Sequence, residues 1–251
     1  MRILFIGDIY SKPGMEYLEE KWDDLKTMYR PNIILANAEN ATHGRGMNQV
    51  TYKALMMMGV HACTMGNWVW TQRDLQTFIE EANIARPCNF KDAPGKPFLM
   101  FNYNGKRVLI INALGKTFMN PNVMCPFETV DAIINENPAD YIIVDFHAEA
   151  TSEKVAFGHY FDGRVSAVLG THTHIQTNDA RKLPGGTLYI TDVGMTGPKD
   201  GVIGVEKEHA IFRFIHGYVL SSTEAAKGPR QINAVLCDLE KKTIETIQIS
   251  E

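Results

Sequence analysis

Cysteine is scarce in this 251-residue sequence: Cys63, Cys88, Cys125 and Cys237 stand far apart, with no Cys-x-x-Cys pair. That excludes a disulfide framework and a thiolate zinc cluster, and it fits a reducing compartment. Long apolar runs are absent as well. None approaches the roughly 18 residues of a membrane-crossing helix, and the amino-terminal MRILFIGD meets Asp8 too early for a secretion signal. These absences predict a cytoplasmic protein with no membrane partner. Charge of one sign is missing too: 25 Lys and Arg against 29 Asp and Glu leave −4. Without a broad basic field, tight binding of long nucleic acid is not expected. A small anion, or the end of an RNA, can still be held by local charge. Repeats, low-complexity segments and linkers are also lacking, so residues 1–251 are read as a single domain.

What is present is a regular alternation of element types, with 45% hydrophobic residues to fill a core. Arg2–Ile6 is a short apolar run closed by Gly-Asp, the pattern of a buried parallel strand. Met15, Leu18, Trp22, Leu25 and Tyr29 recur at three- and four-residue spacing, which predicts one helix ended by Pro31. Ile33–Ala36 and Val60–Met65 read as strands, and Gln49–Met58 and Arg73–Glu81 as helices. Phe98–Ile111 is predicted to be a hairpin turning at Asn104-Gly105, and Thr129–Asn135 a short helix. Tyr141–Phe146, Val165–Leu169 and Leu188–Thr191 read as further strands, and Val235–Ile249 as a closing hairpin near Lys241-Lys242. The β-α-β-α-β order at the start predicts a mainly parallel sheet with helices on both faces.

Residues of metal-ligand type collect where these strands end: Asp8, Glu39, Asn40, Asn67, His147, His172 and His174. In an open parallel sheet the carboxyl ends share one edge, where crevices form. His172 and His174, two apart in an extended segment, point to the same side. Two carboxylates, two amides and three imidazoles are more than one metal needs. Two ions sharing a carboxylate fit better, with Glu39 as the natural bridge. Two divalent ions outweigh the charges of Asp8 and Glu39, leaving a positive site suited to a phosphodiester anion. Imidazole, carboxylate and amide donors without thiolate suit iron, manganese or zinc. Asp145 and Glu149, flanking His147, are read as supports rather than ligands, and Asp192 as a support of the Gly194 turn. Trp22, Trp70 and Met56–Met58 are assigned to packing, and His61, His159, His209 and His216 receive no role.

The segments GD at 7–8, AEN at 38–40, TMGN at 64–67, DFHAEATSEK at 145–154, GTHTHIQT at 170–177 and ITDVGMTGP at 190–198 resemble the calcineurin-like metallophosphoesterases. Within them the sequence is most similar to the YmdB-like bacterial branch. The resemblance covers nearly the whole chain and is weakest over its last forty or so residues. It implies a four-layer α/β/β/α sandwich of two packed mixed sheets, in place of a simple doubly wound sheet. It also implies two metal ions, most often iron or manganese, and hydrolysis of phosphodiesters, in this branch 2′,3′-cyclic nucleotides. Carried over by position, Asp8, Asn40 and His174 hold one ion, Asn67, His147 and His172 the other, and Glu39 bridges.

The departure is Trp68. The resemblance implies Gly-Asn-His there, with the histidine as the general acid; this chain reads Gly66-Asn67-Trp68. An indole N–H donates a hydrogen bond but transfers no proton at neutral pH. The expectation is a phosphodiesterase slowed at the leaving-group step. The alternative is a nucleotide-binding regulator that keeps its metals. His43, in the THGRG segment, is the candidate contact to substrate phosphate and the nearby candidate for a surrogate acid. Apolar residues in the Phe98–Ile111 hairpin and the tail are compatible with a homo-oligomer.

Overall fold

The computed structural model describes residues 1–219 and 224–251. In chain order the strands are β1 (Arg2–Ile6), β2 (Asp8–Ile9), β3 (Ile33–Asn37), β4 (Ala62–Thr64), β5 (Ile84–Ala85), β6 (Phe98–Tyr103) and β7 (Lys106–Leu114). They continue with β8 (Tyr141–His147), β9 (Ala167–Thr171), β10 (Arg181–Lys182), β11 (Leu188–Ile190), β12 (Met195–Pro198), β13 (Arg230–Asp238) and β14 (Thr243–Ser250). The helices are α1 (Ser11–Glu20), α2 (Trp22–Tyr29), α3 (Gln49–Met58), α4 (Pro126–Glu136), α5 (Thr151–Tyr160) and α6 (Lys207–His216). No helix among the described residues is long and apolar enough to cross a membrane.

Two mixed sheets form among these strands. The first runs β2-β12-β13-β1-β3-β4-β5, with β14 also paired to β13. The second runs β10-β11-β9-β8-β7-β6. Period-two side-chain alternation explains why they stack. In β1, Leu4 and Ile6 face a core completed by Leu18, Trp22, Leu25 and Leu55 of the helices α1–α3. Ile3 and Phe5, pointing the other way, meet Val108, Ile110, Ile143, Leu169 and Leu188 of the second sheet. That sheet's outer face, with Leu109, Ile111, Val144 and Phe146, is covered by Val130 and Ile134 of α4 and Phe157 of α5. The result is the expected α/β/β/α order, with three apolar layers between four layers of structure.

Parallel register sets the working edge. Ile6 pairs with Ala36 and Asn37 with Thr64 in the first sheet. Leu114 pairs with His147 and His147 with Thr171 in the second. The carboxyl ends of both sheets therefore open at one place. The hairpin is where the sequence puts it: Asn104 and Gly105 take φ of 50° and 76°, the left-handed pair of a type I′ turn.

Several elements differ from expectation. The helix predicted from Met15 to Tyr29 is two helices, broken at Lys21 (φ −98°, ψ 1°) and closed by left-handed Arg30 before Pro31. The apolar spacing runs across the break because both pieces pack on one core. Arg73–Glu81 is not an α-helix; Arg73–Thr77 forms a 3-10 helix that buries only Leu75. Trp22 is buried and Trp70 packs edge-on to Phe90, as assigned. Met56 and Met58 pack, but Met57 is 88% exposed.

Candidate metal centre

All seven predicted ligands lie at the shared edge. Asp8 begins β2, Glu39 and Asn40 follow β3, Asn67 follows β4, His147 ends β8, and His172 and His174 follow β9. Asp8, Glu39 and His147 are 0–1% exposed. His147 Nε2 stands 2.8 Å from Glu39 Oε1, 3.1 Å from Asn67 Oδ1 and 3.0 Å from His172 Nδ1. Glu39, His147 and His172 each offer a ligand atom within 4.8 Å of the others. Gly66 makes this crowding feasible: a Cβ there would collide with Glu39 Oε2 and His147 Nε2.

The imidazole protons around this cluster are already committed elsewhere. Thr171 Oγ1 donates to Asp145 Oδ1 at 2.7 Å, so it accepts the Nδ1–H of His147 at 2.8 Å. His147 Nε2 is then a bare lone pair. His172 Nε2 lies 3.0 Å from the Glu149 carboxylate, which accepts its N–H and leaves Nδ1 bare as well. A second meeting of acceptors follows the same logic. His174 Nδ1 donates to the Ile203 carbonyl at 2.9 Å, so Nε2 faces Asn40 Oδ1, 3.2 Å away, with no proton between them. The Asn40 amide orientation is fixed because Nδ2 donates to Gly44 O at 2.9 Å. Asp8 Oδ1 is buried without a hydrogen-bond partner, 3.8 Å from His147 Nδ1. Lone pairs pointing at lone pairs in a dry site repel one another unless a cation lies between them. The donor set therefore fits metal ions.

Titration behaviour agrees. Burial, reinforced by Asp192, Glu39 and Asp145, pushes the Asp8 carboxyl well above its usual range. Burial lifts Glu39 to about 7, against the pull of the Trp68 backbone N–H, which donates to Oε2 at 3.0 Å. Burial and the neighbouring His147 hold His172 down at about 4, and burial followed by Lys154 holds His147 well below the usual imidazole value. Imidazoles kept neutral are competent ligands.

Supports surround the donors. Asp145, raised to about 7 by burial, orients Thr171 and accepts from Asn37 Nδ2 at 3.0 Å. Lys154, 1% exposed, donates to Thr171 O at 2.7 Å and to Asp192 Oδ2 at 2.6 Å. Asp192 in turn accepts from the backbone of Thr173 at 3.0 Å and of Gly194 at 2.9 Å. This pair braces a segment in which His172 and His174 both take positive φ, 105° and 67°. Asp192 thus supports the Gly194 turn as expected. Lys154 was not singled out from the sequence, because one lysine inside a motif carries no sign of burial.

A cleft of about 430 Å³ opens onto the centre. Its lining includes buried Glu39, Asn40 and His174, half-buried Trp68, and exposed His43, Arg45 and Arg213. Arg45 and Arg213 were missed; neither stands at a strand end, the signal that found the others. A second cavity, about 270 Å³, lies by Asp140, Arg164 and Lys242 and holds no predicted site residue.

Two mixed sheets between helical layers, with acceptor-rich side chains massed at their common edge, are the layout of a metallophosphoesterase. The YmdB-like protein family model matches residues 4–251, and the chain belongs to that family. A Bacillus subtilis relative, 2′,3′-cyclic-nucleotide 2′-phosphodiesterase, is 45% identical over 99% of this chain and 95% of its own. A crystal structure described as a novel phosphatase, from Mycoplasma pneumoniae, superposes with a TM-score of 0.94 at 38% identity, covering 100% of this chain and 94% of that one. A hypothetical protein from Thermus thermophilus gives a TM-score of 0.95 at 39% identity, covering 100% of both chains.

Proposed function

We propose that the chain is a metal-dependent phosphodiesterase acting on small cyclic nucleotides of the 2′,3′ class, with a dinuclear centre. The observation that carries this is the convergence of proton-free lone pairs in two neighbouring groups at the base of a cleft. Asn67, His147 and His172 make one group, with the orphaned Asp8 oxygen 3.8 Å from His147 Nδ1; Asn40 and His174 make the other, to which the family resemblance assigns Asp8, and Glu39 is the bridge. Two ions, iron or manganese by preference and zinc as a further option, suit these N and O donors. When bound, they supply Lewis acidity toward phosphoryl oxygens and lower the pKa of water. Similarity to the Bacillus subtilis relative over almost the whole chain supports the substrate class.

The chain's own residues define the rest. Asp145 through Thr171, and Glu149 directly, keep two imidazoles in the ligating tautomer. His43, exposed at the cleft, is within the lining and is assigned to substrate phosphate. Trp68 occupies the general-acid position with its backbone tied to Glu39. Its side chain cannot protonate the leaving alkoxide, so that step proceeds without its usual acid.

Hydrolysis of 2′,3′-cyclic AMP with Mn²⁺, measured on this chain and on Trp68→His, tests the reading. The variant is expected to turn over about 10²- to 10⁴-fold faster. Equal rates refute the role given to position 68. No hydrolysis by either protein with metal bound refutes the substrate class. A second reading, a metal-retaining nucleotide-binding regulator, is favoured by Trp68 itself; it predicts tight binding of the cyclic nucleotide with negligible turnover.

A further inference from the structure

The guanidinium of Arg45 lies over the Trp68 ring, with Cζ 4.4 Å from its centroid. A cation–π contact spends the charge of a guanidinium on the ring face without using up its N–H donors. Among the described residues, no carboxylate pairs with that fork and no acceptor meets it. The arginine is exposed, yet its backbone is fixed. Its carbonyl accepts from Gln72 Nε2 at 2.8 Å and its N–H donates to Thr42 O at 3.0 Å. The turn leads directly from Glu39-Asn40, so the fork, the indole and the metal-type donors line one cleft. A cation on a held backbone beside that cluster, unpaired among the described residues, suits an anion with two oxygens to offer. A phosphoryl group provides this geometry and accepts a bidentate pair.

We propose that Arg45, resting over the Trp68 ring, binds non-bridging oxygens of the substrate's phosphoryl group, with Trp68 as its positioning residue. This rests on the reading of the cleft as a phosphodiester site and gives position 68 a function beyond the loss of an acid. Neither side chain transfers a proton; Arg45 contributes charge and two hydrogen bonds, and no bond to it forms or breaks. The indole is the best of the aromatic platforms for this.

Calorimetry on the Mn²⁺-loaded full chain, with inorganic phosphate and adenosine 3′-monophosphate as ligands, tests the assignment. Arg45→Ala is expected to weaken both by about 10- to 100-fold. Mn²⁺ affinity and the thermal midpoint stay unchanged, because Arg45 is exposed and touches no metal-type donor. Arg45→Lys recovers part of the loss. Trp68→Phe keeps most of the affinity, whereas Trp68→Ala loses about threefold to tenfold by freeing the guanidinium. With cyclic nucleotide as substrate, the Arg45 variants raise KM more than they lower kcat. Phosphate affinity of Arg45→Ala within twofold of the unsubstituted chain overturns the proposal. So does a parallel loss of Mn²⁺ affinity, which marks structural damage. A chain that hydrolyses no phosphodiester yet binds phosphate through Arg45 refutes the enzymatic reading and supports the anion site. An active chain indifferent to Arg45 does the reverse.

Discussion

Replacing Lys154 by methionine removes the buried cation beneath the histidine segment while keeping most of the side-chain volume. Its ammonium has two partners, Thr171 O at 2.7 Å and Asp192 Oδ2 at 2.6 Å, and both lysine and aspartate are essentially inaccessible to water. Breaking a buried pair by removing one partner costs about 3–5 kcal/mol, because the other charge stays buried. Asp192 retains the N–H groups of Thr173 and Gly194, which places the expected loss near the lower end, about 3 kcal/mol. For a chain of this size each kcal/mol lowers Tm by about 2–4 °C, so the midpoint should fall by roughly 10 °C. The same two contacts fix the carbonyl before His172 and the N–H after it, so Mn²⁺ affinity should fall as well. Urea denaturation of metal-free protein and Mn²⁺ calorimetry read the two effects separately. Lys154→Met combined with Asp192→Asn should recover much of the stability, since no uncompensated charge remains, but not the metal affinity. A loss of less than about 1 kcal/mol in Lys154→Met, with Mn²⁺ binding intact, refutes the bracing role.

Three further outcomes follow from the geometry. Burial raises Glu39 from its ordinary 4.5 to about 7, so the metal-free fold favours the protonated carboxyl; that stability is complete below about 4.5 and is lost as pH rises through about 7. Mn²⁺ binding at pH 6 should therefore release a proton from Glu39, while His172, held near 4, releases none. Identical calorimetric heats in buffers of different ionisation enthalpy contradict this. Gly66→Ala forces a Cβ onto Glu39 and His147, and should abolish Mn²⁺ binding measured by metal analysis; full occupancy refutes the close approach. Glu149→Gln removes the carboxylate that orients His172 and should weaken metal binding about 10- to 100-fold, with Tm of the metal-free protein nearly unchanged.

The convergence of the seven donor-type residues was legible in the sequence because each sits where an apolar run stops, and strand ends in a parallel sheet share an edge. The four-layer architecture was not legible from periodicity alone. Ile3 and Phe5 alternate with Leu4 and Ile6, but both sets are apolar, so the pattern says that both faces are buried and not by what. Recognition of the long motifs supplied the second sheet. Helix α5 escaped the periodicity because one of its buried residues is charged: Lys154 interrupts the apolar stripe and is satisfied by Asp192, 38 positions later.

The sequence by itself determined the chemical identities: seven N and O donors, no thiolate, and an indole where a proton donor is expected. Local physics determined the hairpin at Asn104-Gly105, since only residues tolerant of positive φ close such a turn. Tertiary structure alone decided which lone pairs face each other and which are occupied. The tautomer of His147 depends on Thr171, and through it on Asp145; that of His172 depends on Glu149. It alone laid Arg45 over Trp68, because a cation-to-ring distance of 4.4 Å is a property of two chain segments brought together by β3 and β4. Hydrogen-bond direction and ring contact are fixed within tenths of an ångström, and only the packed sheets hold residues so distant in sequence to that tolerance.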